Sequence, residues 1–345
     1  MSFADRSADV DLIAPPGAEM TAADTTPSKH SVVERIIPEP DPATRPKLVV
    51  VTCAGRSESK WMLRLMDFHP QTLCRNEPDR MTPAIKDASV SDWAEWEHLG
   101  MSIGPRIGFV DRPPAMPKDY MRGWVKATRA DKLLYAHRFQ KLTGRYPEGR
   151  HPGLFYNAER IAEAQRVLKL INARHLVCRL LTETDHIPII HMVRHPGGML
   201  NSWLNRFAPT KGESDLINTQ RQILRRIHES DPAYERITGP TDSLDLAELK
   251  LWSWRHAQDS ILRLGAAHPR YISIVFEQLS SNALELMAPV YAMCGLEYTD
   301  AMRELIRAET SRSKDIAGAW KDRLPREYVE LVERVLESSL VGRIL

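Results

Sequence analysis

The chain has 345 residues, of which 43% are hydrophobic and 27% charged. That composition excludes a fibrous repeat and a wholly disordered chain, and the length allows two domains or one large α/β domain with appendages. Lys plus Arg is 47 and Asp plus Glu is 45, a net charge of +2, so no overall basic field calls for nucleic acid.

Residues 1–45 are rich in Ala, Asp, Pro, Ser and Thr and lack sustained periodicity. They are expected to form a mobile tail, since they cannot bury enough apolar area to offset their ordering entropy. They show no signal-peptide pattern, and no stretch of the chain reaches the roughly 18–20 apolar residues of a transmembrane helix. The four cysteines (Cys53, Cys74, Cys178, Cys294) form no Cys-x-x-Cys pair, hence no zinc signature and no disulfide framework. A reduced, cytoplasmic setting is the expectation.

Order is expected from Lys47. The β-branched run Leu48-Val-Val-Val-Thr-Cys53 reads as a central parallel strand covered on both faces. The polar turn 54–60 follows, and then Trp61, Met62, Leu65 and Met66 recur at helical spacing until His69-Pro70. Residues 78–150 read as an insertion of irregular structure and short helices, either a place for an acceptor or a surface excursion with structural tryptophans. Farther on, 157–167 reads as helix, 167–171 as strand, 176–182 as a short helix and 187–193 as a buried strand. Arg194-His-Pro-Gly-Gly198 is a turn before a helix through Phe207. Residues 208–243 read as a second insertion with a charged helix at 218–229. Helices are expected at 246–267, 283–294 and 328–340, with a strand at 270–276. Alternating strands and helices predict a three-layer αβα domain over 46–345 with a central, mainly parallel sheet.

Two turns carry chemistry. In Ala54-Gly-Arg-Ser-Glu-Ser-Lys-Trp61, three positions fail the Gly-x-x-x-x-Gly-Lys-Ser/Thr pattern of a nucleoside-triphosphate loop. A strand-end loop that opens a helix still presents free N–H groups and a dipole suited to an anion, and Arg56, Ser57, Ser59 and Lys60 add charge and donors. An ordinary turn with a solvated charge cluster explains the same residues. In the second turn Arg194 ends a strand and Ser202 lies eight residues on, a guanidinium and a hydroxyl suited to one phosphate.

Together, in this order, the two turns resemble those of the sulfotransferases that use 3′-phosphoadenosine 5′-phosphosulfate (PAPS) and release the bisphosphate PAP. Arg56-Ser57-Glu58-Ser59-Lys60-Trp61 is similar to that family's first loop, and Val193-Arg194-His195-Pro196 with Ser202 to its second. Lys169-Leu-Ile-Asn172, Val275 to Leu279, and Ser311-Arg312-Ser-Lys314 before Gly318-Ala-Trp320-Lys321 are further echoes, over roughly residues 47–335. The resemblance implies a P-loop-like sulfotransferase architecture, with residues 56–61 around the 5′-phosphosulfate and Arg194 and Ser202 on the 3′-phosphate. Arg312 and Lys314 would belong to a late loop over the nucleotide. It implies Arg56, or Lys60, at the leaving-group oxygen, Glu77 as the base, and a metal-free reaction on a carbohydrate or small-molecule hydroxyl. His69, His98 and His137 are alternative bases. Where the family has Gly, this chain has Glu58, which should repel the donor unless it points outward or pairs with Lys60 or Arg56. Two other classes stay open: a non-catalytic PAP-binding protein of this fold and an atypical nucleotide-dependent kinase.

Overall fold

The computed structural model describes residues 45–77, 118–119, 160, 163–310 and 318–345. The expected tail, apart from Arg45, lies outside them. So do nearly all of the 78–150 insertion, His98, His137, Arg312 and Lys314.

β1 (Leu48–Cys53) leads into α1 (Ser59–Met66) and β2 (Thr72–Asn76). After the insertion come β3 (Gln165–Ile171), α2 (Arg174–Glu183), β4 (Ile189–Val193) and α3 (Pro196–Phe207). α4 (Glu213–Ser230), α5 (Pro232–Thr238) and a short 3-10 turn precede α6 (Leu246–Gly265). β5 (Tyr271–Val275) runs into α7 (Phe276–Met293), followed by α8 (Asp300–Thr310), α9 (Arg326–Leu336) and α10 (Leu340–Ile344).

The described strands form one parallel sheet in the order β2-β3-β1-β4-β5. Every residue of β1 is buried, as a strand with helices on both faces requires. Alternation divides its side chains. Val49, Val51 and Cys53 join Met62 and Leu65 of α1, Met287 of α7 and Met302 of α8 in one core. Leu48 and Val50 face Leu176 and Leu180 of α2 and Ile261 of α6, and Val193 joins Met199 of α3 on that same side. The chain is therefore an αβα sandwich, as the alternation predicts.

Several boundaries differ from expectation. Residues 165–167 are strand, not helix. Arg166 and Lys169 interrupt the apolar pattern of β3, yet both are fully enclosed because β3 pairs with β1 and β2 at once. β2 is not legible in the sequence, since Thr72, Arg75 and Asn76 mask its extended character. α7 begins at Phe276, directly off β5, and contains a break at Asn282 (φ −129°, ψ 39°), so only its second half shows helical periodicity. α8 is a helix beyond those expected, although Met302 and Ile306 repeat at helical spacing. The charged helix of the second insertion is longer than expected. Its Leu216, Leu224 and Ile227 pack with Leu249 and Trp252 of α6.

Candidate anion-binding site

The connection from β1 enters α1 on one face of the sheet, and that from β4 enters α3 on the other. β1 and β4 are neighbours, so the chain leaves in opposite directions beyond their carboxyl ends. Such a switch point opens a crevice where open α/β sheets bind ligands.

The first turn is held by β3. Gly55 N–H donates to Asn172 Oδ1 at 2.9 Å, and Asn172 N–H donates to Cys53 O at 3.1 Å. Arg56 and Glu58 take left-handed φ values of 70° and 53°, a conformation disfavoured for residues with a Cβ. The loop thus keeps at position 58 a backbone that glycine adopts freely. Ser57 is buried, and its Oγ has no partner among the described residues. Cys53 Sγ donates to Ser59 Oγ at 2.9 Å. Trp61 stands edge-on to Phe276, with centroids 5.9 Å apart. Lys60 is exposed on the first turn of α1.

In the second turn, His195 caps α3 by accepting from Gly197 N–H at 3.2 Å, and Pro196 occupies the first helical turn, where its missing N–H costs nothing. His195 stacks on Trp320, with centroids 4.6 Å apart. Burial, and then Lys321, lower its pKa to about 4. Its backbone N–H donates to the Glu277 carboxylate. That carboxyl is raised by burial, against the opposing pull of its hydrogen bonds and Arg194.

Arg194 joins the turns. Its side chain is 5% exposed and lies over the Phe276 ring, 5.1 Å from the centroid. Nη1 donates to Arg56 O at 2.9 Å and to Glu58 Oε1 at 3.2 Å, while the buried Nε has no partner among the described residues. Burial pulls its pKa down, and Glu58 and Glu277 push it back. Arg56 Nε donates to Ser202 Oγ at 3.0 Å. Arg56, Glu58, Arg194, Ser202 and Trp320 line a cleft of about 310 Å³, with Arg206 and Arg323 also on its wall.

The structure thus brings Arg56, Glu58, Arg194 and Ser202 together. The Glu58 carboxylate pairs with Arg194, a residue 136 positions away that is not among the partners expected for it. Lys60 is not on the cleft wall. Glu77, at left-handed φ 53°, follows β2, two strands from β1 and hence about 10 Å across the sheet. Its Oε1 lies 2.9 Å from Lys169 Nζ, which also donates to Asn76 Oδ1 at 2.6 Å. The Lys169 partnership is not readable from the sequence; its signal is a lysine inside an apolar strand. His69 sits before β2, at the opposite end of that strand from Glu77. Burial, then Lys118 and Arg45, lower its pKa to about 4, and its Nδ1 accepts from Gln71 N–H. It orders a turn and is not at the site. Among the described residues no group of His, Cys, Asp and Glu could hold a metal ion, and no helix is long and apolar enough to cross a membrane.

The described residues form a parallel αβα sandwich with two donor-rich turns at its switch point, the place where open α/β sheets bind their ligands. No family model matches the sequence, and no curated protein matches it. Among solved structures, the chain is similar to the sulfotransferase domain of a Synechococcus olefin synthase, at 16% identity over 84% of this chain and 94% of that one, with a TM-score of 0.40. A sulfotransferase domain from the curacin biosynthetic pathway aligns at 12% identity over 84% and 96%, with a TM-score of 0.41. A mouse sulfotransferase complexed with PAP aligns at 11% over 86% and 87%, with a TM-score of 0.42. Likeness at such identities and TM-scores carries no functional weight, and the chemistry of the site rests on the chain's own residues.

Proposed function

We propose that the protein is a sulfotransferase that moves the sulfuryl group of PAPS to an acceptor hydroxyl, on a carbohydrate or another small molecule. The observation that carries this reading is a pair of buried donors at the switch point, Arg194 Nε and Ser57 Oγ, that have no hydrogen-bond partner among the described residues. A buried donor without an acceptor is costly, and an anion offers both groups what they lack. The two donors belong to the two turns whose order and spacing resemble the PAPS-dependent family.

In the proposed reaction the acceptor oxygen attacks sulfur in line. The bond from sulfur to the bridging oxygen of PAP breaks, its electron pair stays on PAP, and the acceptor proton passes to a base. Catalysis is then positioning plus stabilisation of the charge on the leaving oxygen. Arg194 and Ser202 are assigned to the 3′-phosphate, and the loop 56–61 to the 5′ end. Arg56 is assigned to the leaving oxygen. Its Nε holds Ser202, so that role falls to its Nη atoms or requires it to release the serine. Lys60 is the second candidate. Glu77 is assigned as the base, and Arg312 and Lys314 to a loop over the nucleotide.

The test is calorimetric binding of PAP and AMP to the wild type and Arg194→Ala. The expected result is a loss of about 10- to 100-fold for PAP, the worth of charged hydrogen bonds, with AMP nearly unchanged. Equal losses would make Arg194 structural. A non-catalytic PAP-binding protein is the second reading, favoured by the Glu58 carboxylate on Arg194. Turnover of labelled PAPS against a panel of sugars separates the two.

A further inference from the structure

We infer that Glu58 is a resident anion, a carboxylate that occupies Arg194 in place of a phosphate and sets the threshold an entering ligand must exceed. Arg194 is almost wholly out of water, stacked on Phe276, and a buried guanidinium needs a counter-charge. The loop provides one. Within three residues it gives Arg194 Nη1 two acceptors, the Arg56 carbonyl and the Glu58 carboxylate. It does so with Glu58 in the left-handed region, where glycine would sit without strain. The Glu58 side chain is 40% exposed, so it can turn into solvent and yield Arg194 without breaking any core packing.

The physics is competition with a tethered ligand. A group on a short tether acts at an effective concentration of about millimolar or more. Free phosphate or sulfate must beat that value to reach Arg194. A nucleotide held also at its other end meets the same cost once and retains the rest of its affinity. The carboxylate lowers the affinity of every ligand that uses Arg194 by one common factor. Weakly bound small anions are thereby kept out at millimolar levels, while a bisphosphate still binds. This deepens the proposed nucleotide binding and rests on it for PAP, although the inorganic-anion measurements do not depend on it.

The experiment titrates inorganic phosphate and PAP into the wild type, Glu58→Gln and Glu58→Gly, each also in an Arg194→Ala background. Glutamine removes the charge at constant shape and glycine suits the left-handed backbone, so the two variants perturb the loop in different ways, and urea midpoints of each confirm folding before binding is compared. Expected is a gain of about 3- to 10-fold for both ligands, similar in size, with either Glu58 change, given that the pair is part-exposed. The gain should vanish when Arg194 is alanine, as a double-mutant cycle requires of a direct pair. No gain, or a gain that survives Arg194→Ala, overturns the inference. If phosphate shows the gain but PAP binds to no variant, Glu58 remains the resident anion and the sulfotransferase reading falls.

Discussion

Lys169 has a side chain with no exposure, and its ammonium is held by Asn76 and Glu77 from the end of the neighbouring strand. Removing one partner of such a pair leaves a charge without compensation, at a cost of about 3–5 kcal/mol. Glu77→Gln is therefore expected to lower the melting temperature as well as turnover. The two effects can be separated. Adding Lys169→Met should recover much of the stability, because no buried charge then remains. Turnover should stay about 100-fold or more below wild type if Glu77 takes the acceptor proton. Recovery of turnover with stability would reduce Glu77 to an ordering role. Much of the site is legible as residue types: Arg56, Ser57 and Arg194 stand out as donors at strand ends, and Ser202 as a hydroxyl on the helix that follows. Their pairing is not. The partners Glu58–Arg194 and Glu77–Lys169 are 136 and 92 positions apart, and sequence spacing carries no information about a contact made through sheet order.

Elements that bury both faces announce themselves. β1 and β4 are uninterrupted apolar runs but for one polar residue each, and α6 begins at a capping box, Asp245 with Glu248, whose two hydrogen bonds measure 2.8 and 3.0 Å. Asp245→Ala should accordingly cost about 1 kcal/mol in urea unfolding. β2 and β3 are hidden or trimmed because polar residues occupy positions that only tertiary pairing buries. The turn at 318–324 shows a constraint of another kind. A Cβ at Gly197 would lie 2.4 Å from the Trp320 ring, which itself stacks on His195. The second glycine after Pro196 is not involved; Gly197 is small because an indole covers the start of α3. Gly197→Ala should destabilise the fold by about 1–3 kcal/mol through overpacking, and it should displace Trp320 from the cleft wall. Tryptophan fluorescence and urea midpoints check this. Gly197→Ala with Trp320→Leu should regain part of the loss, and an additive double variant would show that the two residues do not meet.

At the scale of the molecule, the interior that shapes the cleft also holds neutral imidazoles. Burial lowers His69, His191, His195 and His256 to about 4. His191, in the middle of β4, is the best enclosed. Its ring nitrogens meet Tyr271 OH at 2.8 Å and Gln258 Oε1 at 2.9 Å, an arrangement in which one nitrogen donates and the other accepts. The folded value lies below the unfolded value of about 6.5, so between the two the unfolded chain binds more protons. Stability is then fully present above the unfolded pKa and is lost as the pH falls from about 6.5 towards 4. For His191 alone the loss between pH 7 and 5 is about 2 kcal/mol. Glu277 and Asp259, raised mainly by burial, act in the opposite sense, since their protonation is easier in the folded state. Urea midpoints of the wild type and His191→Gln at pH 7, 6 and 5 test the balance. The variant should be less stable at pH 7, having lost a fitted core residue, and should fall less steeply with acid. Parallel slopes would mean that His191 does not stay neutral in the fold, and the acid sensitivity would then belong to the other buried histidines.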